Sequence, residues 1–246
     1  MALISVIIPA RDDAEYLRAC LAALALQTRP ADEIIVVDNA SSDETAEVAR
    51  QAGARVVFEP LWGIPAAAAA GFDAAVGDFL ARLDADSVPP PEWLHRVESH
   101  LVGTAAAAVV TGPGYFYGVR PLANWLGTQV YVRGYFWSMG LVLGHPPAFG
   151  SNFAMRAEVW AGVRDKVHRR VRTVHDDLDL SIQLEPGVAI VYDRALVVGI
   201  SARPFDSIGG FMRRMWWVVL TLTRNGRQES LLRRRARWRR ARAMSG

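Results

Sequence analysis

The sequence predicts an α/β protein with a Rossmann-like, mostly parallel β-sheet flanked by helices. Over the first hundred residues, short runs rich in Ile and Val alternate with segments of helical spacing. The runs are continuously apolar, as expected for strands buried on both faces. Strands separated by helices in this way pair in parallel through right-handed crossovers.

The first half of the chain contains the clearest elements. Residues 3–8 form an apolar run that Pro9 ends, which predicts a buried strand. Asp12 and Glu15 then resemble a capping box at the start of a helix. Further strands are predicted at residues 33–38, 55–59 and 79–83, and further helices at 43–51, 65–76 and 92–101.

After Gly103 the pattern changes, and aromatic residues and glycines fill residues 115–149, which predicts a helix across one face. Strands are predicted at 106–111, 153–156, 189–192 and 196–200, and helices at 158–160, 177–184 and from 205 toward 224. We therefore divide a single domain into a first half (1–103), a second half (104–204) and a C-terminal helix with an arginine-rich tail (205–246).

Acidic residues follow three of the predicted strands: Asp13, Asp38, and the pair Asp84 and Asp86. In an open parallel sheet, ligands bind beyond the carboxyl ends of the strands. Clustered carboxylates repel one another unless a cation shares the site, and a hard divalent ion prefers such oxygen ligands. The simpler alternatives are that Asp84 and Asp86 form a turn and that Asp38 caps one.

Composition and missing motifs exclude several classes of protein. The chain is 51% hydrophobic with a net charge of +3, which excludes disorder as the dominant state. Cys20 is the single cysteine, so no intrachain disulfide forms. Glycine-rich dinucleotide and phosphate loops, zinc-type Cys/His clusters and serine nucleophile elbows are absent. Without a secretory signal or an apolar stretch of about 18 residues, we expect a soluble or peripheral cytoplasmic protein.

Four segments, in the right order, resemble the inverting glycosyltransferases of family 2, which have the GT-A fold. They are Ser5-Val6-Ile7-Ile8-Pro9-Ala10-Arg11-Asp12, Glu33-Ile34-Ile35-Val36-Val37-Asp38-Asn39-Ala40-Ser41-Ser42-Asp43, Leu83-Asp84-Ala85-Asp86 and His175-Asp176-Asp177-Leu178-Asp179-Leu180. Residues 149–156 resemble the segment that precedes the last of these. The likeness covers residues 3–200.

The resemblance implies that the first half binds a nucleotide-sugar donor and the second half an acceptor. The residues implied to border the nucleotide are Pro9, Ala10, Arg11, Asp13 and Asp38. Asp84 and Asp86 would hold the diphosphate through Mn²⁺ or Mg²⁺, which would neutralise the charge of the leaving group. Asp177 would be the general base that takes the acceptor proton, with Asp176 positioned beside it.

The last motif has a structural alternative, in which Asp176 is a helix N-cap and the acids after it favour the helix dipole. Contacts with the acceptor or the phosphates are assigned to Asn152, Arg213, Arg214 and Trp217. The chain reads Ala68-Ala69-Ala70 where the family often has Ala-Arg-Asn, so Arg11, Arg213 or Arg214 would replace that basic contact. The Gln-x-x-Arg-Trp motif of processive members is absent, which argues against polymer synthesis.

The tail, residues 224–246, holds nine arginines and one glutamate, whereas the rest of the chain has a net charge of −5. One interpretation is peripheral binding to an anionic membrane on its inner face, with Trp216, Trp217 and Trp238 as interfacial anchors. The alternative is a solvated extension or one folded against the acidic body. The acidic body and the lack of a recognised module argue against nucleic acid as a partner.

These observations predict an inverting, metal-dependent glycosyltransferase with a UDP-sugar donor and a hydroxyl or lipid-linked acceptor. Two alternatives stay open. A nucleotidyltransferase shares the sheet type but would normally have a glycine-rich basic loop after the first strand. A non-catalytic module that binds a membrane or a partner would carry a degenerate site, whereas Asp84, Asp86 and Asp177 are all present.

Overall fold

The structure is a computed structural model that describes residues 2–103, 107–205 and 207–245. The strand predicted from residue 106 and the half predicted from residue 104 both begin outside these ranges.

A seven-stranded sheet in the order β3-β2-β1-β4-β7-β5-β8 forms the centre of the molecule. Its strands are β1 (Ile4–Ala10), β2 (Glu33–Asp38), β3 (Arg55–Phe58), β4 (Phe79–Arg82), β5 (Val109–Thr111), β7 (Phe153–Arg156) and β8 (Ile190–Tyr192). The first four strands are parallel, and β7 is antiparallel to both of its neighbours. The mostly parallel α/β fold is therefore confirmed, with one reversed strand that the periodicity did not predict.

Helices cover both faces of the sheet because the strands are apolar on both sides. They are α1 (Ala14–Ala25), α2 (Thr45–Gln51), α3 (Ile64–Ala74), α4 (Trp93–Leu101), α7 (Ala157–Val163) and α8 (Asp176–Gln183). Cys20 lies in the core between α1 and the sheet, where burial raises the pKa of its thiol. On the opposite face, a Cβ on Gly71 of α3 would lie 2.4 Å from Ile7 Cγ2, so this glycine permits close contact of α3 with β1.

The second half adds a smaller sheet and a layer of helices. Strand β6 (Gly114–Phe116) pairs in parallel with β9 (Val198–Ile200). A continuous helical segment follows β6, consisting of α5 (Pro121–Leu126), a π-helical stretch (Gly127–Val132) and α6 (Arg133–Leu143). A short 3₁₀-helix (Arg203–Phe205) precedes α9 (Ile208–Gln228) and α10 (Leu231–Ser245).

Two local predictions are corrected by this structure. The capping box at Asp12 does not form, because Asp12 has a φ of +51° and its carboxylate accepts hydrogen bonds from Ser42 N and Oγ. The arginine-rich tail is a helix rather than an extension. Trp238 on that helix is only 3% exposed and packs on the ring of His145 at 4.2 Å, so it cannot serve as an interfacial anchor.

Within the described ranges, no helix is both long enough and apolar enough to cross a lipid bilayer.

Candidate active site

A cavity of about 370 Å³ opens at the carboxyl ends of β1 and β4. Nine of the site residues predicted from the sequence line it, and they come from both halves and from the C-terminal helix: Pro9, Ala10, Arg11, Asp13, Asp84, Asp86, Asp176, Asp177 and Arg214. Parallel strands bring their carboxyl ends to one edge, which explains why the acids after β1 and β4 meet there.

The wall beside β1 and β2 is built by side-chain contacts between loops. The Asn39 amide nitrogen donates to the carbonyls of Glu59 and Leu61, both at 2.8 Å, and its oxygen accepts from Gly63 N at 2.8 Å. These bonds hold the loop that carries Trp62, and the Arg11 guanidinium lies 3.4 Å from the centre of the Trp62 ring. Arg11 is therefore held at the cavity wall by a cation–π contact.

Asp84 and Asp86 are held differently. Asp84 Oδ1 accepts from Arg82 Nη2 at 3.0 Å, and Asp84 Oδ2 accepts from Ser151 Oγ at 2.5 Å. Asp86 Oδ2 accepts from Ser201 Oγ and from Arg203, whose Nη2 is 2.9 Å away. No hydrogen bond reaches Asp86 Oδ1 from the described part of the chain.

Arg203 links the two acidic strand ends, because its guanidinium also donates to Asp13 Oδ1. Burial raises the pKa of Asp86, the negative charge of Asp84 raises it further, and Arg203 opposes both. Burial lowers the pKa of Arg203, but the charges of Asp86 and Asp13 outweigh it and raise the pKa overall. The carboxylates at this edge thus have an excess of negative potential that one arginine only partly balances.

Arg82, the last residue of β4, lies beneath the cavity and is 1% exposed. Its Nη2 lies 3.2 Å from Asp176 Oδ2, in addition to the contact with Asp84. A Cβ on Gly150 would lie 2.3 Å from Arg82 Nη1, so only glycine leaves room for this guanidinium. Burial raises the pKa of Asp176 to about 6, although the positive charge of Arg82 acts against the rise.

Asp177, at the start of α8, is oriented by two backbone N–H groups, one from the loop before β7 and one from α8 itself. Its Oδ2 accepts from Gly150 N at 2.9 Å, and its Oδ1 accepts from Leu178 N at 2.7 Å. The helix begins at Asp176 with His175 as the N-cap residue, and no side chain caps it, so the predicted N-cap role of Asp176 is not observed. Asp179 is buried instead, where it accepts from His168 N at 2.6 Å and from Asn225 Nδ2 at 2.8 Å.

Four of the predicted site residues do not line this cavity: Asp38, Asn152, Arg213 and Trp217. Asp38 Oδ1 accepts from Ser41 N at 3.0 Å, which is the turn-capping alternative. Asn152 is fully buried and donates to two backbone carbonyls, so we correct its role from acceptor contact to a structural one. The Arg213 guanidinium lies 6.0 Å from the centre of the Trp217 ring.

Sequence reasoning missed Arg82, Arg203 and Tyr131, all of which line the cavity. A signal existed for Arg82, because it is a charged residue within the apolar run 79–83 of a predicted buried strand. Arg203 follows β9 as the acids follow β1 and β4, but no acidic motif marks it. Tyr131 is one aromatic residue among many between 115 and 149, and its spacing does not distinguish it.

The oxygen ligands that Asp84 and Asp86 offer fit a divalent cation that is shared with a bound diphosphate. Within the described ranges, no group of three or more His, Cys, Asp or Glu residues is arranged to hold a metal alone. Mg²⁺ in nucleotide enzymes is usually bound by one or two carboxylates, with the substrate phosphates and water as the remaining ligands. Asp84 and Asp86 meet that requirement, and Asp86 Oδ1 has a free lone pair for it.

The charges around the cavity favour the same arrangement. The lining carboxylates are Asp13, Asp84, Asp86, Asp176 and Asp177, and the lining guanidiniums are Arg11, Arg82, Arg203 and Arg214. The lining carboxylates outnumber the lining guanidiniums by one, so a further cation would favour the entry of a diphosphate.

Comparison with known proteins agrees with the resemblance. Residues 5–172 match the family "Glycosyl transferase family 2". The glycosyltransferase AglE of Haloferax volcanii is 38% identical over 114 residues, which is 43% of this chain and 38% of that protein. An undecaprenyl-phosphate 4-deoxy-4-formamido-L-arabinose transferase of Pectobacterium carotovorum is 34% identical over 120 residues, 42% of this chain and 37% of that protein. The chain thus spans less than half the length of these curated relatives.

Two solved structures show the same fold at low identity. Glucosyl-3-phosphoglycerate synthase from Mycobacterium tuberculosis, in complex with Mn²⁺ and UDP-glucose, has a TM-score of 0.63 at 21% identity. The alignment covers 91% of this chain and 79% of that one. Mannosyl-3-phosphoglycerate synthase from Rubrobacter xylanophilus has a TM-score of 0.63 at 21% identity, with 93% and 75% covered.

The sheet order, the acidic edge and the fold of these neighbours identify a GT-A architecture. The family match extends over more than half of the chain. It contains the strands β1 and β4 and the acidic residues after them, which line the cavity. This chain belongs to glycosyltransferase family 2.

Proposed function

We propose that the protein transfers a sugar from a nucleotide-diphosphate donor to a hydroxyl or lipid-linked acceptor, with inversion at the anomeric carbon and with a divalent cation. The observation that carries this proposal is the cavity itself, which brings Asp84 and Asp86 together with Asp177. The division into a donor half and an acceptor half is part of the proposal.

The donor would lie along the edge formed by β1 and β4. Pro9, Ala10, Arg11 and Asp13 line that part of the cavity, and Asn39 lines it in place of the predicted Asp38. A UDP-sugar is favoured over other nucleotide sugars because the structural neighbour from M. tuberculosis is described with UDP-glucose.

Asp84 and Asp86 would hold Mn²⁺ or Mg²⁺, and the cation would neutralise the charge that develops on the diphosphate as it leaves. Asp86 has Oδ1 available for this contact. Arg11 and Arg214 line the same cavity, and they would replace the basic contact that is missing at Ala68-Ala69-Ala70.

The acceptor would enter from the side of α8. An inverting displacement needs a base on the face opposite the leaving group. The Asp177 carboxylate, which accepts hydrogen bonds from Gly150 N and Leu178 N, would be that base. It would take the proton of the acceptor hydroxyl as the new glycosidic bond forms and the bond to the diphosphate breaks. Asp176 would help to position this region through its ion pair with Arg82.

Titration calorimetry of UDP tests the donor side. We expect the wild-type protein to bind UDP at least about tenfold more tightly with Mn²⁺ than after chelation, a difference of ~1.4 kcal/mol. Asp86→Asn should remove most of that difference, because it deletes the ligand charge while keeping the shape. Asp165→Asn, on an exposed loop, is the matched control. Binding of UDP that is equally strong with and without metal in all three proteins would contradict the proposed metal site.

A panel of nucleotide sugars and acceptors, assayed by release of the nucleoside diphosphate, then tests the reaction. Transfer from one donor to a hydroxyl or lipid-linked acceptor is expected. Formation of a nucleotide–sugar bond from a nucleoside triphosphate would instead support the nucleotidyltransferase alternative.

A further inference from the structure

The outer face of the helical segment 121–143 is a stripe of exposed apolar side chains. Beyond the exposed Pro121, its exposed apolar residues recur at helical spacing, and they are Leu122, Trp125, Leu126, Val130, Trp137 and Leu141; Arg133 is exposed among them. Val130 and Trp137 are each 71% exposed. Isolated exposed apolar residues are normal on proteins, but a continuous stripe along six helical turns marks a surface that contacts something apolar.

Helix α9 carries a second stripe of the same kind. Ile208, Met212, Trp216 and Val219 are exposed at intervals of four, four and three residues, and Ile208 is 85% exposed. The exposed positions of the later turns, Thr223, Arg224 and Arg227, are polar or basic. The face of α9 therefore changes along its length from apolar to cationic.

The two helices pack against each other through their inner faces. The rings of Tyr131 and Phe211 lie 6.2 Å apart, and Met139 of α6 lies in one apolar cluster with Val218 and Leu222 of α9. Both stripes therefore belong to one helical layer, and we call them the helix-layer stripes.

Acidic residues are absent from both regions of sequence. No Asp or Glu occurs at residues 114–157 or 207–228, whereas arginines occur in both. A cavity of about 720 Å³ adjoins the first stripe, and Arg133, Trp137, Tyr192 and Arg194 contribute to its lining without any carboxylate among the lining residues described. Apolar stripes beside guanidiniums that no carboxylate among these described residues neutralises are complementary to a partner in which an anionic layer covers an apolar one.

Helix α10 adds further positive charge next to α6. A Cβ on Gly144, the residue that follows α6, would lie 3.3 Å from Arg235 Cγ and 3.4 Å from Trp238 Cβ, so α10 packs against the end of that helix. Arg234 and Arg237 pair with Glu229, but no ion pair is formed by Arg233, Arg239 or Arg240 within the described ranges. The tail is thus partly neutralised by its own Glu229 and by Glu185 of the body, whose Oε2 lies 3.9 Å from Arg237 Nη1, and its remaining arginines stay available.

The inner sides of the same helices form the acceptor wall of the candidate active site. Tyr131, in the π-helical stretch, and Arg214, in α9, both line the cavity that contains Asp177. A surface bound to the helix-layer stripes would therefore lie beside the cavity, where an acceptor carried on that surface could reach it.

We propose that the helix-layer stripes dock on an anionic lipid bilayer, with Trp125, Trp137 and Trp216 in the interface and the arginines at the headgroups. This surface differs from the arginine-rich tail inferred from the sequence, because the apolar contact is made by α5, α6 and α9 and α10 contributes only charge. The inference rests on the proposed function in one respect, that the acceptor is lipid-linked.

Sedimentation with vesicles tests the proposal on the full chain. Wild-type protein should sediment with phosphatidylglycerol-containing vesicles and much less with pure phosphatidylcholine, and high salt should weaken the binding. The double variants Trp137→Ser/Leu141→Ser and Met212→Ser/Trp216→Ser should each lower the partition coefficient at least about tenfold, a difference of ~1.4 kcal/mol. Leu26→Ser/Val76→Ser is the matched control, because both residues are exposed and lie outside the layer. It should bind vesicles as the wild type does.

Three results would overturn the proposal. The first is that the wild type fails to bind anionic vesicles. The second is that the triple variant Arg233→Gln/Arg239→Gln/Arg240→Gln loses vesicle binding while the stripe variants keep it. The third is that the wild type forms dimers that the stripe variants abolish, which would assign the stripes to a second copy of the chain. Binding of UDP with Mn²⁺, measured in the same variants, should be unchanged. If the wild type itself did not bind UDP with Mn²⁺, that result would count against the proposed function rather than against the membrane surface.

Discussion

The two parts of the chain position their site residues by different physical means. In residues 2–103, Asp13, Asp84 and Asp86 follow strands whose register is set by parallel pairing within a buried sheet. In residues 107–245, Asp177 and Arg203 lie at the start of a helix and in a short 3₁₀-helix, outside the sheet. Backbone pairing thus sets the positions of the acids in the first part, whereas side-chain contacts across the cavity set much of the arrangement in the second part.

At the cavity, two arginines form crossed ion pairs between the parts. Arg82 comes from the first part and reaches Asp176 in the second, and Arg203 comes from the second part and reaches Asp13 and Asp86 in the first. Each part therefore supplies the cation for carboxylates of the other. We infer that the relative placement of donor and acceptor sides depends on these pairs, and the following substitutions test each side and each pair.

The largest expected effect concerns the acceptor side alone. Asp177→Asn keeps the shape and can accept one of the two backbone hydrogen bonds through its remaining oxygen, but it removes the proton acceptor. Turnover with a hydroxyl acceptor or with water should fall about 10²- to 10⁴-fold, while the affinity for UDP with Mn²⁺ and the melting temperature change little. Release of UDP from the donor sugar is the measurement.

Asp165→Asn is again the control for the loss of one exposed carboxylate. A phosphate acceptor has a second pKa of about 6 and is already a dianion at pH 8. Transfer of the sugar to such an acceptor should therefore depend less on Asp177. Near wild-type turnover of Asp177→Asn with water or a hydroxyl acceptor would assign the base elsewhere. Asp176 would then be the next residue to test, since Asp179 is buried against His168 and Asn225.

The second prediction breaks one of the crossed pairs. Arg82→Met removes the guanidinium that lies against Asp84 and Asp176 and leaves two carboxylates without it in a largely buried place. Removing one partner of a buried pair typically costs about 3–5 kcal/mol, and we expect a loss in this range for the free energy of unfolding. Chemical denaturation measures it.

A double-mutant cycle separates the pair from general packing. Adding Asp176→Asn to Arg82→Met should restore part of the lost stability, because one uncompensated charge disappears. If Arg82→Met unfolds with nearly wild-type stability, or if the two substitutions are simply additive, Arg82 does not hold the two parts together.

Much of the first part could be predicted because its signals are local. Strand β2 was predicted at its observed bounds, and β1, β3 and β4 within two residues, since buried parallel strands are continuous apolar runs. The acids after β1 and β4 then reach the cavity by topology alone. Asp38 ends the neighbouring strand β2, yet its carboxylate accepts a hydrogen bond from Ser41 N. The spacing of residues in the sequence does not predict this single hydrogen bond.

The second part could be predicted less well because its placement depends on distant contacts. The reversed strand β7 pairs with β4 and β5 only after a long excursion of the chain. Arg203 contacts carboxylates that lie more than a hundred residues earlier in sequence, so no local window contains both partners. The arginines of α10 are distributed around the helix, so they do not indicate which face packs. The contact between the rings of Trp238 and His145 holds α10 against the rest of the protein.

The smallest expected effect concerns the other crossed pair, in which Arg203 occupies the carboxylates that would also bind a cation. Its guanidinium contacts Asp86 Oδ2 and Asp13 Oδ1, and its side chain is 34% exposed. Arg203→Ala should therefore strengthen the binding of Mn²⁺ alone by about two- to fivefold, because ion pairs of this exposure contribute roughly 0.5–1 kcal/mol. Electron paramagnetic resonance of free Mn²⁺ measures this without any turnover. Arg214→Ala is the control, since it removes a charge from the same cavity without a direct contact to Asp86. If both variants bind Mn²⁺ equally well, Arg203 acts only through the general potential of the cavity. Weaker binding in Arg203→Ala would show that the guanidinium helps to shape the metal site, and it would contradict the competition inferred from the two contacts.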